Sequence, residues 1–332
     1  MTNKLPPPTD GSWRHVIGTE EFPAEKDRYH LYVGLFCPFA HRVIITRQLK
    51  GLQSFLPMSI VKPYPKDPDG WRFPDSDDEY PGSTIDHLFH SKFLHEIYQK
   101  SDPKYKGRYS VPVLWDKKTQ QIVNNESADI MRMLNTVFNE ELPVHSKRRA
   151  IDLYPEDLRS QIDEMNKWLG PEFNIGVYKA GFADDQLTYE ANAKVVFKAL
   201  DKLEAILNKN DKHFLLGERM TEVDIKAYTT LVRFDTVYVQ HFKLNVGTIR
   251  HNYPKLNRYL KHIYWRIPGF KETTDFRQIK ESYTKSHPNI NPKEITPLGP
   301  IPSVESWTEE DEAWKLVCPS SRGRLMRGFS DI

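Results

Sequence analysis

Cys37 stands between the apolar run RYHLYVGLF, residues 28–36, and the stretch PFAHRVIITRQLK, residues 38–50. Proline favours the first position of a helix, so Pro38 makes Cys37 the expected N-cap. Amides without intrahelical acceptors and the positive end of the helix dipole then face the sulfur. That setting favours thiolate, the nucleophilic form. A lone cysteine is otherwise a small buried hydrophobe. Its place before a proline at a helix start argues for the nucleophile. Ala40 occupies the position where a Cys-x-x-Cys pair carries its second thiol. A monothiol cannot resolve its own mixed disulfide, so an external thiol must do it, which in a cell means glutathione. Glutathione therefore has to bind beside Cys37.

The surrounding elements fit that role. Residues 28–36 read as a strand and 38–50 as a helix closed by Gly51. A second strand, 55–63, is followed by a polar Pro-, Asp- and Gly-rich loop at 64–83. A helix near 89–100, a hairpin over 111–125 and a helix from Glu126 complete the order β-α-β-α-β-β-α. Strand–Cys–Pro–helix is where thioredoxin-like folds carry their reactive sulfur. Beyond Tyr154 the pattern turns helical, with helices expected at 184–210, from Thr221 and from Tyr253. Thr221 and Asp224 have capping-box spacing, Asp replacing the usual Glu. The fold class is therefore α/β followed by all-α. An arm at 1–27 precedes a thioredoxin-like domain at 28–142. A helical domain at 150–295 and a tail at 296–332 follow, the tail lying on the body or partly disordered.

Composition narrows the function classes. The chain has 332 residues, 39% hydrophobic and 28% charged, with 47 basic against 45 acidic side chains and a net charge of +2. That balance gives no argument for nucleic acid or an anionic membrane as partner. No run approaches the ~18 apolar residues of a membrane span, and MTNKLPPPTDGSWRH lacks the apolar core of a secretory signal. Two cysteines, Cys37 and Cys318, suffice for neither a disulfide framework nor a zinc site, so a reducing cytoplasmic setting is expected. Cys318 is read as a small residue of the tail. The acidic run 75–79 reads as solvated loop charge, with no histidine or ordered ligand spacing, and no metal is expected.

CPFAHR resembles the active-site segment of cysteine-type glutathione transferases. Together with DGWRF, YKGRYSVPVLWD, NNESADI, GVYKAGFA and SHPNINP it resembles the xi class, the S-glutathionyl-hydroquinone reductases, from about Trp13 to Pro300. The resemblance implies a thioredoxin-like domain followed by a helical domain, a homodimer, and glutathione as co-substrate without a metal. It also implies site residues. Cys37 is the nucleophile, and Phe39 follows it where many bacterial members have Trp. Val111 precedes Pro112 in a position resembling the cis-proline of thioredoxin folds, where its backbone can pair with the cysteinyl part of glutathione. Glu126 and Ser127 open a helix that can hold the γ-glutamyl ammonium and carboxylate; unaided, they read equally well as caps. Trp71 and Arg108 are further glutathione contacts. Tyr178 and Tyr283 match the tyrosines of the aromatic substrate, although Ser282 stands where many members carry a second, adjacent tyrosine. Two other functions use the same residues: an omega-like thioltransferase or dehydroascorbate reductase, and a catalytically silent binding module.

Overall fold

The run Tyr29–Val33 forms strand β1, buried along its whole length, as expected of a central strand covered on both faces. Strand β2 (Met58–Ile60) pairs parallel to it, and β5 (Val113–Asp116) pairs antiparallel on its other side. Strand β6 (Gln121–Asn124) closes the order β2-β1-β5-β6. Helix α1 (Pro38–Leu49) connects β1 to β2, α2 (Leu94–Ser101) leads toward β5, and α3 (Ser127–Thr136) follows β6 and packs on α1. This is the thioredoxin-like arrangement expected from sequence. The 64–83 loop is not wholly irregular, because β3 (Lys66–Asp67) and β4 (Gly70–Trp71) pair antiparallel within it. These elements come from a computed structural model that describes residues 10–67, 70–210, 212–309 and 311–312; Cys318 lies outside them.

The chain forms two units, and their limits differ from the expected domains. The first takes its described residues from 1–152 and 273–296, the second from 153–272 and 297–312. Residues 273–296, placed by sequence with the helical domain, thus belong to the first unit. They contain helix α11 (Phe276–Lys285), anchored by a Tyr80–Glu281 hydrogen bond, Gln278 Nε2 donating to the Pro81 carbonyl at 3.1 Å, and Ser286 Oγ donating to the Pro63 carbonyl at 2.9 Å. The expected arm is likewise part of this unit. Trp13, Ile17 and Phe22 are buried, and His15 N donates to the Val123 carbonyl at 3.0 Å, which holds the segment along β6.

A buried ion pair ties β1 to β5. Arg28 donates from Nε to Asp116 Oδ1 at 2.9 Å and from Nη2 to Oδ2 at 2.7 Å, and the Asp116 side chain is fully buried. Burial alone would raise the Asp116 carboxyl. Hydrogen bonds from Arg28, the Lys118 amide and Thr119 outweigh it and hold the group below its ordinary value of 3.8. Asp116→Ala should therefore cost about 3 kcal/mol, because it leaves the buried Arg28 Nε without its acceptor and the guanidinium with only Glu25 and the Glu21 carbonyl. The same pair gives stability an acid limb: its contribution is present above the ordinary value of 3.8 and is lost as pH falls through the lowered folded value. Urea unfolding of wild type and variant between neutral pH and pH 3 reads both effects. A variant that loses less than ~1 kcal/mol at neutral pH would deny the pair this role.

The second unit is helical. It contains α4 (Arg159–Trp168), α5 (Gly176–Gly181), the long α6 (Gln186–Asn210), α7 (Glu222–Arg233), the short α8 (Val239–His241) and α9 (Ile249–Asn252), and α10 (Pro254–Arg266). The capping box read from sequence is present. Thr221 caps α7, and Asp224 accepts from the Thr221 amide at 2.8 Å, the Leu215 amide at 2.9 Å and Tyr259 Oη at 2.9 Å. Burial lifts the Asp224 carboxyl above its ordinary value despite these donors. The described part of the tail is docked on this unit. Trp265 Nε1 donates to the Glu305 carbonyl at 2.9 Å, and Lys261 pairs with Asp311 at 2.5 Å.

Candidate active site around Cys37

Cys37 is the N-cap of α1, with extended backbone at φ −76° and ψ 123°, and Pro38 takes the first helical position. The side chain is partly exposed and forms no disulfide among the described residues. Its Sγ lies 3.6 Å from the Val111 carbonyl oxygen, a contact within reach of a thiol donor. The peptide between Val111 and Pro112 is cis, as the sequence reading anticipated. A tight turn sets the sulfur in place, with Cys37 N donating to the Gly34 carbonyl at 3.0 Å. A Cβ on Gly34 would stand 2.6 Å from the ring of Phe36, so the ring could not keep its place with a larger residue there. That ring lies against Trp71 with centroids 4.4 Å apart, which brings the 64–83 loop to the cysteine turn. Phe39 is half-buried, with the Arg42 guanidinium 4.7 Å from its ring centroid.

Lys66 Nζ sits 5.5 Å from the Trp71 ring centroid, and the exposed Arg108 acts on Lys66 through its charge. Loss of solvent, then the Arg108 charge, lowers the Lys66 ammonium from its ordinary 10.5. Tyr283 is buried on α11, its ring perpendicular to that of His287 at 5.8 Å. Loss of solvent, and then Lys66, draws His287 down to about 4, so its imidazole is neutral at pH 7. Lys66 and His287 were not singled out in the sequence. Lys66 sits in a polar loop and reads as solvated charge, and only its proximity to Arg108 and His287 sets it apart.

Glu126 and Ser127 sit at the start of α3 as expected, but they also bond to each other. Glu126 Oε1 accepts from the Ala128 amide at 3.1 Å and from Ser127 Oγ at 3.2 Å. Glu126 Oε2 faces Arg14 Nη2 at 3.9 Å, so the N-terminal segment supplies a charge beside this helix end. Ser127 is 2% exposed, so its hydroxyl would have to turn from Glu126 to meet a ligand. The carboxylates of 75–79 serve the loop itself: Asp75 pairs with Arg72 at 2.5 Å, Asp77 accepts from the Ile85 amide at 2.9 Å, and Glu79 pairs with Lys62.

Tyr178 lies in the second unit, on α5. Its half-buried ring is stacked on Phe182 at 6.2 Å and meets Phe242 edge-on at 5.4 Å and Tyr238 at 6.1 Å.

Comparison with known proteins bears on these features. The glutathione S-transferase N-terminal domain model matches residues 36–137, and the C-terminal domain model matches residues 186–262. Fold and matches define a glutathione transferase with cysteine at the head of its first helix. The chain is 53% identical over 296 residues to the glutathione S-transferase omega-like 2 of Schizosaccharomyces pombe, covering 89% of this chain and 93% of the relative. It is 47% identical to the glutathionyl-hydroquinone reductase YqjG of Escherichia coli, covering 89% and 84%. The xi glutathione transferase ECM4 of Saccharomyces cerevisiae, solved in complex with glutathione, superposes with a TM-score of 0.85 at 40% identity, covering 89% of this chain and 99% of that one. The chain belongs to the xi class of glutathione transferases.

Proposed function

We propose that this protein reduces S-glutathionyl-hydroquinones to hydroquinones with glutathione as the reductant. The observation that carries the reading is a single thiol at the head of α1, 3.6 Å from the carbonyl that precedes a cis-proline. The Cys37 thiolate attacks the glutathionyl sulfur, forming an S–S bond and breaking the bond from sulfur to the aromatic carbon. The electron pair stays on the carbon, which takes a proton and becomes hydroquinone. A second glutathione thiolate then attacks the Cys37–glutathione disulfide, releasing glutathione disulfide and restoring the thiolate. The ring carbon is reduced from C–S to C–H, and the substrate's glutathionyl group and one glutathione thiol end as one disulfide.

Each remaining residue has a chemical task. The Val111 backbone pairs with the cysteinyl part of glutathione, as an added strand would. Ser127 and the first amides of α3 take the γ-glutamyl carboxylate, while the Glu126 oxygen that faces Arg14 meets the ammonium. Arg108 takes the glycyl carboxylate, Phe39 flanks the thiol, and Trp71 covers the peptide. Tyr178 and Tyr283 serve the hydroquinone, with phenols that can hydrogen-bond its hydroxyls and pass a proton to the ring. The protein acts as a cytoplasmic homodimer. Activity on glutathionyl-menadiol against dehydroascorbate tests the reading. We expect turnover on the first to dominate, with one glutathione disulfide formed per hydroquinone. Faster turnover on dehydroascorbate would instead make the protein an omega-like reductase.

A further inference from the structure

Around the 64–83 loop of the first unit, most cations have their carboxylates. Lys62 pairs with Glu79, and Arg72 pairs with Asp75 at 2.5 Å. Lys66 of that loop and Arg108 form no ion pair among the described residues. The backbone nevertheless brings these two together. Lys66 lies opposite Trp71 in the β3–β4 pairing, and its Nζ sits 5.5 Å from that ring's centroid. Gly70, the residue before Trp71, has φ +96°, and a Cβ built on it would meet the Tyr109 Cβ at 3.9 Å. Strand β4 thus runs beside the residue that follows Arg108. Loss of solvent and then the Arg108 charge depress the Lys66 ammonium, the second being the effect of a like charge close by.

Both cations are joined to the Cys37 turn by braced segments of the same unit. The Trp71 ring lies 4.4 Å from that of Phe36, the residue before Cys37. On the other side, the Arg108 carbonyl accepts from Tyr105 Oη at 2.9 Å, and the Ser110 carbonyl accepts from Tyr98 Oη at 2.8 Å. These bonds hold the segment that ends at Val111, whose carbonyl lies 3.6 Å from Cys37 Sγ. Glutathione held at Cys37 by its sulfur carries its glycyl carboxylate one residue from that sulfur, within reach of the adjoining backbone. Two like charges placed there repel each other. One carboxylate between them relieves the repulsion and gains a charge-assisted hydrogen bond from each.

We propose that Lys66 is a further glutathione-binding residue, which shares the glycyl carboxylate with Arg108 and makes the site selective for thiols that carry one. The inference rests on the reductase reading above and adds a residue to its glutathione site. It is tested by calorimetric titration of wild type, Lys66→Gln and Lys66→Arg with glutathione and with glutathione glycyl monoethyl ester. The ester keeps the thiol, the peptide and the γ-glutamyl group and lacks only the charge of that carboxylate. Glutathione should bind Lys66→Gln about fivefold more weakly than wild type, while the ester binds both alike. Lys66→Arg keeps the charge and should bind glutathione as wild type does. Added salt should weaken glutathione binding more in wild type than in Lys66→Gln. Unchanged affinity for glutathione in Lys66→Gln overturns the proposal. So does an equal loss for glutathione and the ester, which would leave Lys66 a packing partner of Trp71. Turnover of the wild type on glutathionyl-menadiol, measured beside the titrations, keeps the two readings apart. Its absence overturns the reductase reading, while the titrations still decide for or against Lys66.

Discussion

Cys37→Ser should abolish reductase turnover, with kcat/KM on glutathionyl-hydroquinones falling by ~10³-fold or more. The reaction begins with an anion on the N-cap side chain, and an alcohol offers almost none at neutral pH. The substitution is nearly isosteric, and Cys37 fixes the α1 terminus through its backbone: the His41 amide donates to the Cys37 carbonyl at 2.9 Å, and the Cys37 amide to the Gly34 carbonyl at 3.0 Å. Fold and glutathione affinity should therefore persist. Calorimetric titration with glutathione, run beside the kinetics, checks this. Binding without turnover is the expected outcome. A variant that turns over near the wild-type rate would move the nucleophile elsewhere and end the mechanism.

Features set by local chemistry were legible in the sequence. Cys-Pro at a strand-to-helix junction specifies an N-cap wherever it is placed, and Thr221 with Asp224 specifies a capping box on the same local grounds. The β-α-β-α-β-β-α order followed from periodicity, and the covered central strand from its unbroken apolar run. Long-range decisions were not legible. Helix α11 has a marked polar side and no local signal of which unit it joins. Its place is decided by Tyr80, Pro81 and Pro63, each about 200 residues earlier in the chain. The docking of 297–312 depends in the same way on Trp265 and Lys261 meeting Glu305 and Asp311. The influence of the Lys66 charge on His287 is also non-local. Glu126 and Ser127 lie between these cases. The sequence allowed cap or ligand contact, and the side chains fulfil the cap among themselves while retaining one Glu126 oxygen near Arg14.

Tyr178→Phe should separate two reactions open to the Cys37 thiolate, cleavage of a thioether and attack on a disulfide. When the thioether is cleaved, the departing carbon must receive a proton, and a positioned phenol that delivers it contributes roughly 10²-fold or more. When a disulfide is exchanged, the leaving group is a thiolate, which departs without that help. Removing one hydroxyl should thus lower kcat on glutathionyl-hydroquinones by ~10²-fold, with a much smaller loss on a small glutathione mixed disulfide. The ring remains, so its contacts with Phe182, Tyr238 and Phe242 should hold the cluster in place. A solvent deuterium isotope effect on kcat should accordingly be larger for the thioether than for the disulfide in the wild type. Equal losses on both substrates would reduce Tyr178 to a packing residue of the aromatic cluster. Tyr283, whose ring lies beside the neutral imidazole of His287, would then be the next phenol to test, and Tyr283→Phe should show the selective loss instead.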